Sequence, residues 1–307
     1  MHRFLGMLAP IIGLLAAPAI PAPPAEDPPG QPGGFRGFGI RSPTEYAPTD
    51  GAKLARMDVV AGRSSVAPGG EVLLGVRWKI TPGWHLYWRN PGDSGTAPRI
   101  SVKAPEGIQV GDIAWPRPVV FEDDWGDTTY GYEHEVILLL PLRIPLQAPE
   151  GPLTLEVDAE WLVCKEACLL GEGRVSIRME IRADAGIGNR LDPAIEKSLP
   201  LVPRPLGELS GSTARLEPTT NPTKMVIEGP SAGAESIRFI PDVTPGVVAG
   251  YGHPVKATIS DDKFRIEVPL EVEPNNSLGR PLEAAGLVLF GPGSDDPARS
   301  VRLAIDP

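Results

Sequence analysis

The chain has 307 residues, a formal net charge of −10, 37 prolines and 35 glycines. The acidic balance argues against a phosphate-binding surface and so against a nucleic-acid partner. The wealth of turn residues suits an all-β protein with many short strands, and about 250 residues outside the N-terminal segments are enough for two sandwich-sized domains.

Residues 1–25 read as a signal peptide. Met1-His2-Arg3 gives a positive start, Leu5 to Ile20 is apolar, and small residues such as Ala17, Ala19 and Ala22 offer cleavage sites. The apolar run, broken by Pro10 and Pro18, falls short of the roughly 20 residues that span a bilayer. A membrane anchor is the alternative; export to the periplasm is the expectation. Residues 26–53 are rich in Pro and Gly and poor in aliphatic side chains, which predicts a disordered leader.

The pattern becomes β from residue 54. "EVLLGVRWKI" (71–80) places Val72, Leu74, Val76 and Trp78 on one face at a period of two. "EVILLLPLRI" (135–144) is nearly continuous apolar sequence suited to a central strand, with Pro141 predicting a bulge or an edge. "LTLEVDAEWL" (153–162) and "RVSIRMEIR" (174–182) alternate again. A short helix is predicted at "DPAIEKSL" (192–199), with Asp192 as its cap and Pro193 in its first turn, inside a linker at 185–208. The segment 209–307 reads as a second sandwich, with its best strands at 236–241, 255–260, 263–272 and 284–290 and turn signals at Gly229-Pro230 and Gly291-Pro292. The expected fold is all-β: two immunoglobulin-like β-sandwich domains, 54–184 and 209–307, behind the signal and leader.

Both cysteines, Cys164 and Cys168, and all six tryptophans lie between residues 78 and 168. Any chemistry therefore belongs to the first domain. On an extended strand, positions i and i+4 stand about 13 Å apart. A disulfide needs Cα atoms within about 7 Å, so a bonded pair requires a tight corner at Lys165-Glu166-Ala167. Three readings are open. A structural staple of so short a loop contributes only about 2 kcal/mol, against about 4.7 for a hundred-residue loop. A metal clip has only His85 and His134 to complete a Cys₂His₂ set, with no second paired spacing. A redox pair needs one reachable sulfur and gains from a removable cover. Lys165 favours a thiolate, while Glu160 and Glu166 oppose it. The stretch "VVFEDDWGDTTYGYEHE" (119–135) offers Trp125, Tyr130 and Tyr132 as a cover; the plainer reading is a polar hairpin loop.

Four blocks in order, "PGWHLYWRNPGDSGTAPRI" (82–100), "IAWPRP" (113–118), "YGYEHEVILLLPLRIP" (130–145) and "AEWLVCKEAC" (159–168), resemble the periplasmic N-terminal domain of the thiol:disulfide interchange protein DsbD. The likeness is to its copper-sensitivity-suppressor (ScsB-like) branch, which has three residues between the cysteines. It covers about 55–184 and, more loosely, the second β segment. The resemblance implies an immunoglobulin-like sandwich whose Cys164 and Cys168 exchange with other disulfides. It further implies His85 and Tyr87 beside the sulfurs and the 121–132 loop as a cap. In the main branch, with five residues between its cysteines, the second makes the bond to the partner; Cys168 corresponds to it.

Family members commonly continue into a membrane domain and a thioredoxin-like domain, and neither is evident here. The resemblance therefore implies a separate membrane electron-conducting protein, such as a DsbD-like transmembrane domain, as electron source. Periplasmic thioredoxin-like proteins would be the recipients, with no organic cofactor and no metal. The activity would be protein-disulfide reductase-type exchange. The competing expectations are an exported binding or adaptor protein with a structural disulfide, and a copper-handling protein.

Overall fold

The computed structural model describes residues 50–124, 126–185, 190–217, 222–250, 254–272 and 282–305. The expected signal peptide, the leader up to residue 49 and Trp125 lie outside the described residues. The chain from Tyr46 to Pro307 forms one compact unit, and its described elements are almost all strands.

The first pair of sheets comes from residues 55–181. One sheet orders Ala55–Ala61, Glu71–Ile80, Glu135–Arg143 and Gln109–Val110. The facing sheet orders Ser65–Val66, Cys168–Ile181, Gly151–Cys164, His85–Gly92, Thr128–Tyr132 and Val119–Glu122, with Arg99–Lys103 also paired to Gly151–Cys164. Val72, Leu74, Val76 and Trp78 point inward together, as their alternation predicts, and meet Leu86, Trp88, Leu155 and Trp161 of the other sheet. Trp78 and Trp161 pack edge to face with ring centroids 5.7 Å apart, the arrangement aromatic quadrupoles favour.

The unbroken apolar run at 135–143 has two destinations. Leu138, Leu140 and Leu142 enter the sandwich core, while Ile137 and Leu139 face outward and are covered by Ile195. Ile195 belongs to the helix Pro193–Ser198, which Asp192 caps by accepting a hydrogen bond from the Ala194 backbone N–H at 2.8 Å. Of the bulge or edge expected at Pro141, there is no bulge: the register from Glu71↔Arg143 to Lys79↔Glu135 is continuous. The Pro141 carbonyl accepts from the Gly111 N–H at 2.8 Å. Its nitrogen faces that same flank, where among the described residues pairing is limited to the two-residue strand Gln109–Val110 and an isolated bridge between Ala114 and Leu139, so the missing donor breaks no long ladder.

A second pair of sheets orders Arg204–Pro205, Ala298–Ile305, Leu282–Phe290 and Ile237–Pro241 against Thr213–Glu217, Thr223–Pro230, Lys263–Val272 and Val247–Ala249. Lys256–Ser260 also pairs with Lys263–Val272. The strand Leu282–Phe290 is buried on both faces: Ala284, Val288 and Phe290 join the second core, whereas Leu287 and Leu289 join the first, with Ile240 and Ala298. At the other end of the described chain, residues 50–53, expected in the leader, belong to a helical turn, Asp50–Leu54. A Cβ added at Gly51 would stand 2.3 Å from the Leu170 carbonyl oxygen, so this turn lies directly against the strand that begins at Cys168.

Candidate functional site

Gly151–Cys164 and Cys168–Ile181 are the two arms of one long hairpin, paired from Gly151↔Ile181 to Cys164↔Cys168. Lys165, Glu166 and Ala167 form its tip, closed by a hydrogen bond from the Lys165 N–H to the Ala167 carbonyl at 3.2 Å. The two cysteines are thus the last pair of the ladder. Their Cα atoms are 4.2 Å apart and their sulfurs are bonded. The corner required by the spacing is therefore a hairpin turn.

The pair is asymmetric. Cys164 is 2% exposed, whereas Cys168 lies on the exposed side of the turn. Cys164 is the cross-strand partner of His85, and Val163 that of Leu86. Directly opposed residues share a face of the sheet with Cβ atoms about 5 Å apart. Alternation along His85–Gly92 then places His85 and Tyr87 on the outer face with the cysteines, while Leu86 and Trp88 enter the core.

The Tyr87 hydroxyl lies 3.8 Å from the Cys168 sulfur. Burial pushes this hydroxyl's pKa up, partly offset by a hydrogen bond with Ser94. Gly95, at φ +94°, lets the loop pass beside the Tyr87 ring: a Cβ there would fall 2.2 Å from the ring carbon that carries the hydroxyl. The His85 ring meets Tyr87 edge-on at 5.1 Å and stacks on Phe121 at 4.7 Å with an interplanar angle of 27°. Burial holds the imidazole below its ordinary pKa, against a smaller upward pull from Glu133. Its Nε2 is buried with no hydrogen-bond partner among the described residues.

The stretch expected to cover the site is a hairpin, Val119–Glu122 against Thr128–Tyr132. Its register with His85–Gly92, Leu86↔Tyr132 and Tyr87↔Gly131, decides which aromatics reach the outer face. Tyr132 turns into the core, where its hydroxyl donates to the Pro116 carbonyl at 2.9 Å, and Tyr130 packs against the same core. Neither tyrosine lies over the sulfurs. Val119 and Phe121 alternate to the outer face, and Phe121 supplies the aromatic against His85. The resemblance implies a cap at 121–132, with Trp125, Tyr130 and Tyr132 as its candidate aromatics; Phe121 is not among them, and the alternation in "VVFE", which separates Phe121 from Val120, is the signal for it.

Among the described residues no group of three or more His, Cys, Asp or Glu side chains is arranged to hold a metal ion. No helix among them is long and apolar enough to cross a membrane.

Residues 56–179 match the family model for the N-terminal domain of thiol:disulfide interchange protein DsbD. Among solved structures, the N-terminal periplasmic domain of ScsB from Proteus mirabilis is similar at 20% identity with a TM-score of 0.53. That alignment covers 81% of this chain and 93% of the ScsB domain. The likeness is one of fold, and it extends beyond the matched segment. The N-terminal domain of Neisseria meningitidis DsbD, in its reduced form, is 18% identical over 45% of this chain and 90% of that one, with a TM-score of 0.26. No curated protein sequence matches the chain. The matched segment, 56–179, contains both cysteines.

Proposed function

We propose that Cys164 and Cys168 are a working dithiol/disulfide couple that passes reducing equivalents to a partner protein. The observation that carries this reading is the asymmetry of the pair, Cys168 an exposed residue and Cys164 2% exposed, at a hairpin tip inside a segment that matches the DsbD N-terminal family model. In the reduced protein, the Cys168 thiolate attacks a partner's disulfide, forming a mixed disulfide and releasing one partner thiolate. The Cys164 thiolate then attacks the Cys168 sulfur and expels the second partner thiolate. Two electrons leave the pair, the partner takes up two protons, and the Cys164–Cys168 bond re-forms. No organic cofactor enters these steps.

In this reading the chain is exported to the periplasm and the chemistry belongs to residues 54–184, with 185–208 as linker and 209–307 as a second domain. Electrons come from a membrane electron-conducting module, and the recipients are exported thioredoxin-like proteins. The net charge of −10 favours partners with basic or neutral rims around their active sites. Phe121, stacked on His85, the cross-strand partner of Cys164, serves as a cover on the Cys164 side of the pair and leaves Cys168 exposed.

Single cysteine variants test the roles. Cys164→Ser should accumulate a mixed disulfide through Cys168 when incubated with an oxidised thioredoxin-like protein, and Cys168→Ser should accumulate far less. A failure of both variants to trap such a partner removes the mechanism.

A further inference from the structure

We propose that the second pair of sheets is the anchor that holds the aromatic cover, Phe121, in place over His85, beside Cys164. This rests on the reading of Phe121 as a cover. Its evidence, however, comes from the contacts these strands make with the second pair of sheets.

Phe121 and its floor, His85 and Tyr87, stand on two different strands, Val119–Glu122 and His85–Gly92. The strand between them, Thr128–Tyr132, is paired irregularly to His85–Gly92, with a register shift between Tyr87 and Gly92. The first sandwich therefore leaves the spacing of cover and floor loosely specified along this edge.

Both strands reach the same edge of the second pair of sheets. Next to Phe121, Glu122 forms an ion pair with Arg238 at 2.5 Å. On the floor strand, Asn90 donates from Nδ2 to the Pro241 carbonyl at 2.8 Å, and Arg89 pairs with Asp242 at 2.7 Å. Arg238 and Pro241 lie on the single strand Ile237–Pro241, and Asp242 follows it. One strand of the second sandwich thus clamps the cover strand at Glu122 and the floor strand at Arg89 and Asn90.

The root of the cover strand is fixed in the same direction. Arg117, two residues before it and 3% exposed, donates from Nη2 to the Gly291 carbonyl, and its backbone N–H donates to Leu201 at 2.8 Å. Loosening one clamp point lets Phe121 move relative to His85 without unfolding either sheet. Clamping both strands to one element is what sets the His85–Phe121 stack.

The test uses the full chain and a small reagent, so no partner is needed. The oxidised protein is reduced with excess dithiothreitol, and the rate is compared for the parent, Glu122→Arg, Arg238→Glu, the double exchange and Phe121→Ala. Thermal melts confirm that each variant is folded. Each single charge reversal should speed reduction about twofold to fivefold, the range an exposed ion pair supports. The double exchange, which restores opposite charges, should return the rate to within about 1.5-fold of the parent. Phe121→Ala should exceed the single reversals. If Phe121→Ala speeds reduction but neither single reversal does, the cover exists and the second sandwich does not hold it, which overturns the proposal. If Phe121→Ala leaves the rate unchanged, the cover itself is absent and the proposal falls with it, while partner trapping by Cys164→Ser remains a separate test of the exchange chemistry.

Discussion

The hydroxyl of Tyr87 lies 3.8 Å from the sulfur of Cys168, the exposed member of the bonded pair. When the pair is reduced, this hydroxyl is placed to donate to a Cys168 thiolate. A donor directed at the charged form lowers the thiol pKa. Burial raises the pKa of Tyr87 itself, so it keeps its proton through neutral pH. Tyr87→Phe should therefore raise the Cys168 pKa and slow its alkylation at pH 7 by roughly twofold to tenfold, the effect of losing one hydrogen bond of about 0.5–1.5 kcal/mol. The pH–rate profile of iodoacetamide reaction, measured in a Cys164→Ser background, reads this directly; an unshifted profile would mean the hydroxyl only fills space.

His85 makes the fold sensitive to mild acid. Burial lowers its pKa, with Glu133 the one charged group pulling it back up; Tyr87 and Phe121, which pack on its ring, are uncharged at neutral pH. A histidine whose pKa is lower folded than unfolded binds its proton more readily in the unfolded chain. The stability it contributes is fully present above the unfolded value of about 6.5 and is lost as the pH falls through the lower folded value. Melting temperatures from pH 7.5 to 5 should fall more steeply for the parent than for His85→Phe. Parallel curves would contradict the buried, neutral imidazole.

The hairpin depends on a close approach behind the cysteines. Trp161 crosses beneath Gly171, and a Cβ at that position would stand 2.3 Å from the indole Nε1. Trp161 is held by Trp78 in the core and has little room to yield. Gly171→Ala should destabilise the protein by about 1–3 kcal/mol, the usual cost of overpacking a well-filled site, read as a lower urea midpoint at unchanged slope. A midpoint equal to the parent's would show that the ring moves aside freely.

Local pattern and long-range pairing were legible to different degrees. The face formed by Val72, Leu74, Val76 and Trp78, the Asp192-capped helix and the corner between the cysteines follow from neighbouring residues alone. The inward turn of Tyr130 and Tyr132 is not legible locally, because the face of a residue on Thr128–Tyr132 is set by its register with a strand some forty residues earlier in the chain, Leu86↔Tyr132. A shift of one residue exchanges the faces. The turn signal at Gly229-Pro230 marks the end of the strand Thr223–Pro230, whose last residue pairs with Lys263. The continuous run at 284–290 marked a strand but not that its two faces serve different cores.

The central claim is that the Cys164–Cys168 bond opens and closes in use. Its most direct test is the reduction potential of the couple, measured by equilibrating the whole protein in glutathione buffers and counting free thiols. The account predicts that the pair equilibrates with glutathione at a potential above about −300 mV. A pair that stays oxidised throughout, with a potential below about −300 mV and no detectable exchange, would be a structural bridge and would contradict it.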